Sequence, residues 1–304
     1  MRIPDLLRKD EPSFSFEFFP PKTDEATAAL FENVAKLKQL EPDFVSVTYG
    51  AAGSTRDGTV EVSSRIQNEL GIETMAHLSC VGETREGLEA ILDRLGEAGI
   101  ENVLALRGDP PRGATDFEPP EGGLEGSPEL AAFIRERSDW GIGGSSFPDV
   151  HPEAASPQAD IDYLKRKVDG GAEFLLTQLF FDNAIFFDWL DRVRGAGIDV
   201  PVLAGILPVR SYSGLVRFCE ICDAHIPRAV HEGLALCNGD PLAERTWGIA
   251  YAARQSEELL AAGVDGIHFY PINHADSVMA VLGALKAARP WERAADGAHR
   301  VAAR

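Results

Sequence analysis

Cysteine is scarce in this chain of 304 residues, which contains four: Cys80, Cys219, Cys222 and Cys237. Four cysteines are too few for a disulfide scaffold in a protein of this length. Long apolar runs are also missing: no stretch reaches about 18 residues, so we expect no membrane span. The N-terminal segment MRIPDLLRKDEP is too polar for a signal peptide. These absences predict a protein of the cytoplasm.

Basic residues are in deficit. There are 29 Lys and Arg against 48 Asp and Glu, a formal net charge of −19. A surface this acidic repels phosphate backbones and argues against nucleic-acid binding. One basic exception is the run Lys165-Arg166-Lys167, which follows His151 and Asp160. Spacing alone leaves two interpretations open, a solvated helix face or a clamp for a diphosphate group.

The pattern of the chain is an alternation of short β-rich runs and amphipathic helical runs, with no GxGxxG motif after the first strand. About eight sequential βα steps most simply close as a single-domain α/β protein with a (βα)₈ TIM barrel, and an open doubly wound sheet is the alternative. The predicted strands are Ser13–Pro20, Asp43–Gly50, Thr74–Val81, Asn102–Gly108, Gly141–Phe147, Phe174–Phe181, Val200–Val209 and Gly266–Ile272. The helical patterns include Asp24–Leu40, Thr84–Gly99, Ala159–Gly170 and Asn183–Gly197.

Three segments interrupt this alternation. Pro110–Ser127 is rich in Gly and Pro and predicts a long loop on the face where the strands end. Between the last two strands, helical patterns at about 227–263 predict an insertion rather than a second domain. The tail after about residue 290 lacks an apolar period and predicts a frayed end.

Polar residues recur near the carboxyl ends of the predicted strands, where a barrel carries its active site. In the first strand Phe14, Phe16 and Phe18 alternate with Glu17, so the aromatic rings are expected to face the helices and the carboxylate the barrel. The other polar residues are Ser46, Thr48, His77, Ser79, Arg107, Asp109, Gln178, His268 and Tyr270. Each alone has a structural explanation, but their convergence at one end of a barrel predicts a ligand site.

Several segments resemble the bacterial methylenetetrahydrofolate reductases. They are FSFEFFPPKT, VSVTYGAAGST, AHLSC, NVLALRGDPPRG, HPEAASPQADIDYLKRK, FLLTQLFFD, AGILPV and GIHFYPIN, in the family's order, from about Ile3 to about Leu285. The resemblance implies a TIM barrel that binds FAD. It also implies ping-pong reduction of 5,10-methylenetetrahydrofolate to 5-methyltetrahydrofolate by NADH or NADPH. A homo-oligomer is implied as well, without the S-adenosylmethionine inhibition of eukaryotic relatives.

The resemblance also implies roles for individual residues. Glu17 matches the acid that assists opening of the folate ring, and Asp109 matches the second catalytic residue, near flavin and pterin. The implied cofactor-binding residues are Thr48, Tyr49, His77, Arg107, Gly108, Asp109, Phe147, His151, Asp160, Arg166 and Lys167. The implied substrate-binding residues are Glu17, Thr48, Gln178, Phe218 and His274. We expect the aromatic neighbours of Glu17 to desolvate its carboxyl, raise its pKa and keep a proton on it near neutral pH.

The chain departs from the family's pattern at four contacts. Gly126 or Ser127 and Phe147 stand where a tyrosine is usual, Gly214 replaces a glutamine, and His274 replaces a basic residue. One alternative is therefore direct hydride transfer from NADH to the folate without flavin.

A second alternative is a metal- or redox-binding partner subunit, suggested by Cys219, Cys222, His225, His231 and Cys237. Against it, the two cysteines of the CxxC pair share one helical pattern, where free Cys behaves as a small apolar residue.

Overall fold

The computed structural model describes residues 1–7, 10–49, 56–108 and 119–293, without the side chains of 56, 57 and 293. Its eight strands are β1 Ser13–Phe18, β2 Phe44–Val47, β3 Thr74–Ser79, β4 Asn102–Leu106, β5 Gly141–Ser146, β6 Phe174–Thr177, β7 Val202–Ile206 and β8 Gly266–Phe269. They form a closed barrel in chain order, and every neighbouring pair is parallel. Closure between β1 and β8 confirms the predicted TIM barrel and excludes the open sheet.

The described helices are α1 Ile3–Leu6, α2 Asp24–Lys38, α3 Arg56–Leu70, α4 Arg85–Glu97, α5 Ser127–Arg135, α6 Pro157–Asp169, α7 Asn183–Gly195, α8 Tyr212–Cys222, α9 Arg228–Ala235, α10 Pro241–Ala261, α11 Ala275–Ala288 and α12 Pro290–Arg293. Local signals explain where several begin. Thr23, Thr84 and Ser156 each accept a hydrogen bond from the backbone of the first turn of α2, α4 and α6. The predicted helices therefore exist, and their ends lie two residues or fewer from the predicted ones.

Helices α8, α9 and α10 lie between β7 and β8, where the sequence predicted a helical insertion. The first half of the predicted loop Pro110–Ser127, residues 110–118, lies outside the described residues. Its described part ends in an antiparallel bridge between Gly123 and Thr84, and Ser127 begins α5. The predicted frayed tail begins after about residue 290, but residues 291–293 belong to α12 and Trp291 packs against Phe14, so the prediction is wrong for them. The rest of the predicted tail lies outside the described residues. No helix in the described ranges combines the length and apolar character needed to cross a bilayer.

Apolar residues pack on the outside of the barrel and fill the amino-terminal end of its interior, which leaves the carboxyl end for polar residues. Phe16 and Phe18 point outward and pack with residues of the surrounding helices, such as Leu30 and Val34, as predicted. Inside the barrel a separate cluster fills the amino-terminal end: Ile3, Leu7, Phe44, Met75, Leu104, Phe174, Leu176 and Leu203. Helix α1 contributes Ile3 to that cluster, so the N-terminal segment closes the barrel floor. The opposite end carries the polar residues.

Candidate active site

Glu17 is the centre of the polar end of the barrel. Its side chain projects inward from β1, and the residue is 8% exposed. One carboxylate oxygen, Oε2, lies 3.3 Å from Nε2 of His77 and 3.5 Å from Nε2 of His268. Ser46, its partner in register on β2, donates a hydrogen bond to the same oxygen at 3.4 Å. Four strands thus bring one carboxylate, two imidazoles and one hydroxyl together.

His268 is held from two sides. Its Nδ1 lies 2.7 Å from Oγ of Ser15, which is opposite it in the β1–β8 register. Its ring stacks on Phe44, with centroids 6.2 Å apart, and meets Tyr270 edge to face at 5.2 Å. The Tyr270 hydroxyl donates to the backbone carbonyl of Thr177 at 2.7 Å.

The charge of Glu17 differs from the sequence-based expectation. Burial by itself raises the pKa of the carboxyl, as expected from the aromatic neighbours, but interactions with His77 and His268 outweigh burial and bring the pKa to about 2. The predicted raised pKa is therefore wrong for this site. The phenylalanines pack on the outer side of β1, whereas the barrel side offers two imidazoles. Glu17 is a carboxylate at neutral pH.

Several predicted cofactor residues gather after β5. The rings of Phe147 and His151 meet edge to face with centroids 4.6 Å apart. The backbone N–H of His151 donates to Oδ2 of Asp160 at 3.3 Å. Burial lowers the pKa of His151 and raises the pKa of Asp160. These side chains therefore form one connected group at the start of α6.

The cations of the basic run on α6 have separate partners. Lys167 is buried, and its Nζ donates to the backbone carbonyl of Ser145 at 2.7 Å. Burial lowers the pKa of Lys167 to about 8, against the attraction of Asp160. Arg166 pairs with Glu129 at 2.6 Å, and Lys165 pairs with Asp169 on its own helix. Each of the three cations thus has a partner within the chain, and Lys167 is the buried one of the three.

Arg107 and Gly108 follow β4. The guanidinium of Arg107 makes a bidentate ion pair with the carboxylate of Glu153, which lies in the loop after β5. Gly108 has φ +90°, and a Cβ there would collide with Oγ of Ser79. That hydroxyl donates to the carbonyl of Arg107 at 2.8 Å, which fixes the end of β4 against β3. Asp109, the second predicted catalytic residue, lies outside the described residues.

The remaining predicted residues lie around the same end of the barrel. The backbone N–H of Thr48 donates to the carbonyl of Phe18, and Tyr49 follows it. Gln178 borders a small cleft with Phe147 and Leu179. Phe218 on α8 is partly buried in the apolar cluster that contains Leu179 and Tyr270. His274 is exposed and precedes α11.

The site list implied by the resemblance missed four residues with specific contacts, namely Ser15, Ser46, His268 and Glu153. The alternation of inward and outward residues did point to the first three, because each shares the barrel-facing side with Glu17. Glu153 had no comparable signal. Its pairing with Arg107 joins loops that follow different strands, and spacing in the sequence does not encode that distance.

The cysteine-rich segment shows a packing role in the described residues. Cys219 is buried in the apolar cluster around Leu215, and burial raises the pKa of its thiol to about 12. His231 lies on α9 and contacts the hydroxyl of Tyr212 through Nδ1 at 2.8 Å. Within the described ranges, no three His, Cys, Asp or Glu side chains are arranged to hold a metal ion.

A solved structure shares the fold. The protein from Clostridium thermocellum described as binding two copies of 5-methyl-5,6,7,8-tetrahydrofolic acid superposes with a TM-score of 0.65. The match covers 95% of this chain and 99% of that protein, at 14% identity. An identity this low supports a common barrel fold and nothing finer.

Sequence comparisons go further. The family model described as methylenetetrahydrofolate reductase matches residues 2–286. The 5,10-methylenetetrahydrofolate reductase of Salmonella typhimurium is 38% identical, over 89% of this chain and 90% of that protein. The methylenetetrahydrofolate reductase (NADH) 1 of Arabidopsis thaliana is 36% identical over 97% of this chain, which spans 53% of the plant protein. The chain thus covers about half of the plant relative and nearly all of the bacterial one. It belongs to the methylenetetrahydrofolate reductase family.

Proposed function

We propose that this protein reduces 5,10-methylenetetrahydrofolate to 5-methyltetrahydrofolate with NAD(P)H as the electron donor and FAD as the cofactor. The observation that carries the proposal is the buried carboxylate of Glu17, within 3.5 Å of two imidazoles at the mouth of the barrel. Family membership and the names of the relatives support the same reaction. A buried ionised group with titratable partners, located in the mouth of a TM barrel, supports a functional site at this position.

The described residues fit a flavin dinucleotide. At the mouth of the barrel, Nε2 of His77 and Nε2 of His268 contact the Glu17 carboxylate but make no hydrogen bond of good geometry. Nearby, Lys167, Arg166 and Arg107 supply the cations that a diphosphate needs, and Asp160 and His151 supply polar contacts. When bound, FAD would supply hydride acceptance from NAD(P)H and hydride donation to the folate. These residues would position it after β5 and along α6.

Glu17 would act on the folate by moving a proton. Opening the five-membered ring of methylenetetrahydrofolate requires a proton on a ring nitrogen, and a carboxyl group in reach can deliver it. With a pKa of about 2 the carboxylate does not by itself hold that proton at neutral pH. An imidazole within 3.5 Å of Oε2 can take up a proton and pass it to the carboxylate. Folate binding would further exclude water and favour the neutral carboxyl.

The other residues of the site would bind and orient. Gln178 and Thr48 would contact the nicotinamide or the pterin, Phe218 would pack on the bound substrate, and His274 would face the folate tail. We propose that Asp109 positions the pterin beside the flavin, as the resemblance implies.

Two half-reactions test the proposal. Purified protein should show flavin absorbance, lose it on anaerobic addition of NADH, and regain it on addition of methylenetetrahydrofolate. Glu17→Gln should slow the folate step by roughly 10²- to 10⁴-fold, the usual contribution of a general acid, and leave the NADH step within a few-fold. Glu73→Gln is the matched control, because this carboxylate lies at the barrel floor, where it accepts from Asn102. Its folate step should stay at the wild-type rate.

Three outcomes would overturn parts of the proposal. A colourless protein that oxidises NADH only with methylenetetrahydrofolate would replace FAD chemistry with direct hydride transfer. Full folate activity in Glu17→Gln would remove the acid role. Inactivity of the wild-type chain in both half-reactions, with FAD added, would contradict the reductase function itself.

Organisation beyond the site is also proposed. We infer that the 304 residues form one domain, that copies of the chain assemble into a homo-oligomer, and that the protein works in the cytoplasm. Sedimentation of the purified protein at two concentrations measures the assembly, and a monomer at both would contradict it.

A further inference from the structure

Arg210, which follows β7 at the carboxyl end of the barrel, carries a hydrogen-bond donor that the described residues leave without a partner. Its Nη1 atom is buried and makes no hydrogen bond. Burial lowers the pKa of Arg210 against the attraction of Asp276, and Arg245 adds to the lowering, but a guanidinium stays charged at neutral pH. A buried charged donor without an acceptor is unfavourable, because it has lost water and gained no partner. Such a donor indicates a place for an anion.

The backbone on both sides of Arg210 is fixed by helix α10. Val209 lies so close to this helix that a Cβ on Gly248 would collide with the carbonyl oxygen of Val209. The backbone N–H of Tyr212 donates to Oε2 of Glu244 at 3.1 Å. Because the segment is held at two points, the guanidinium is presented from a fixed backbone rather than from a loose loop.

The loop that follows β8 lies beside Arg210. The guanidinium is within electrostatic range of His274, the residue that stands where the family has a basic side chain. The neighbouring Asn273 accepts from the backbone N–H of Phe19 and donates to its carbonyl, both at 2.9 Å. These two hydrogen bonds tie the loop to the end of β1, two residues after Glu17. Since β7, β8 and β1 are consecutive in the barrel, Arg210 lies on the side of the mouth where this tie is made.

An apolar surface adjoins the cation. Val209, directly before Arg210, is buried in the cluster that contains Tyr270, and Phe218 of α8 packs against this cluster. An apolar and aromatic surface next to a guanidinium suits a ligand segment that has an aromatic ring followed by a carboxylate. The tail of a folate has this composition, because a p-aminobenzoyl ring precedes its glutamate.

We propose that Arg210 binds a carboxylate of the folate's glutamate and so takes the place of the basic residue that His274 has replaced. The assignment rests on the proposed function, because its ligand is the folate of that reaction. A carboxylate would give Nη1 its missing acceptor in a charge-assisted hydrogen bond. Arg210 thereby gains a binding role that the resemblance does not give to its position.

Equilibrium binding of two ligands tests the assignment without turnover. One is folic acid, and the other is pteroyl methylamide, which keeps the pterin and the benzoyl amide but lacks the glutamate. Arg210→Gln should weaken the binding of folic acid about 10- to 100-fold, the effect of losing a hydrogen bond between charged groups, and leave the methylamide within about two-fold. Arg228→Gln is the matched control, because it removes an exposed cation of α9 that pairs with Glu232 on its own helix. Neither ligand should lose affinity in that variant.

A cation at position 274 provides a rescue. His274→Arg in the Arg210→Gln background should return the affinity for folic acid to within a few-fold of the wild type, because residue 274 lies within electrostatic range of the lost guanidinium. Failure of this rescue would overturn the claim that Arg210 replaces the family's basic residue. The KM for NADH in the first half-reaction separates carboxylate from phosphate binding. An equal loss of NADH affinity in Arg210→Gln would assign the arginine to the nucleotide and overturn the proposal.

The remaining outcomes distinguish this proposal from the proposed function. If the wild-type chain binds folic acid no better than the methylamide, no carboxylate site exists and the assignment is overturned, even if no variant folds. Equal losses for both ligands in Arg210→Gln would show a structural role and overturn it as well. A chain that prefers folic acid through Arg210 but never reduces methylenetetrahydrofolate would keep the assignment and overturn the proposed function.

Discussion

Oε2 of Glu17 lies 3.3 Å from Nε2 of His77, although the two residues belong to strands β1 and β3, which are not neighbours. Because both side chains point into the barrel near its carboxyl end, they meet across its interior. The contact decides the charge of Glu17, since two imidazoles outweigh burial and hold the pKa of the carboxyl at about 2.

The first prediction concerns stability in acid. Glu17 has a folded pKa of about 2, below its ordinary value of 4.5, so the carboxylate stabilises the fold above pH 4.5. That contribution is lost as the pH falls from about 4.5 to about 2, and it is on the order of 3 kcal/mol at full extent. The free energy of unfolding of the wild type should therefore fall more steeply than that of Glu17→Gln between pH 5 and 3. Urea denaturation at each pH measures both, and parallel curves would contradict the depressed pKa.

The second prediction concerns backbone strain beside the cofactor residues. Val150 has φ +70°, a left-handed conformation that is costly for a β-branched residue. Val150→Gly relieves about 1–2 kcal/mol of strain and costs about 0.5–1 kcal/mol of chain entropy. Loss of the partly buried side chain adds a further cost. The free energy of unfolding should therefore change by less than about 1 kcal/mol in either direction, as chemical denaturation would show.

Val200 provides the matched control for Val150. It is also a partly buried valine outside a helix or strand, its φ is not positive, and it packs against the main core. Val200→Gly should lower the free energy of unfolding by about 1–2 kcal/mol. Equal losses in the two variants would mean that Val150 is not strained.

The third prediction uses the buried amine of Lys167. Its folded pKa of about 8 is below its ordinary value of 10.5, because burial disfavours the ammonium. A lowered lysine pKa destabilises the fold at pH values below about 8, and the cost disappears as the pH rises toward 10.5. Relative to Lys167→Met, the ligand-free wild type should gain roughly 2 kcal/mol between pH 7 and pH 9.5. A difference that stays constant over this range would show that the amine is solvated.

The fourth prediction concerns the barrel floor. The buried amide of Asn102 accepts from the backbone N–H of Ile3 at 2.8 Å and donates to the carbonyl of Met1 and to Glu73, both at 2.9 Å. Asn102→Ala should lower the free energy of unfolding by about 2–3 kcal/mol, because buried backbone groups lose their partner. Asn68→Ala, on the exposed face of α3, should cost less than about 1 kcal/mol. If the two variants lost equal free energy of unfolding in thermal or chemical denaturation, the stabilising role of Asn102 at the barrel floor would be contradicted.

Local patterns in the sequence were enough for the architecture. The alternation of Phe14, Phe16 and Phe18 with Ser15 and Glu17 indicated which side of β1 faces the helices. The predicted helical patterns Asp24–Leu40 and Thr84–Gly99 start at or next to the first residues of α2 and α4, where Thr23 and Thr84 cap the helices. The predicted strands start at or within two residues of the observed ones but run one to four residues too far. Strands here end where ladder pairing stops, and apolar residues such as Leu179 continue beyond that point to pack against the helical insertion.

By itself, then, the sequence determined the closed βα barrel, the inward direction of Glu17 and the end of the barrel at which the polar residues lie, because these depend on period and chain order. The tertiary structure alone decided that Glu17 is ionised rather than protonated, that Ser15 holds His268, and that Glu153 pairs with Arg107. The physical reason is distance: electrostatic and hydrogen-bond energies depend on separations of a few ångströms between side chains on different strands and loops. The distances between these side chains are set only when the strands close into the barrel.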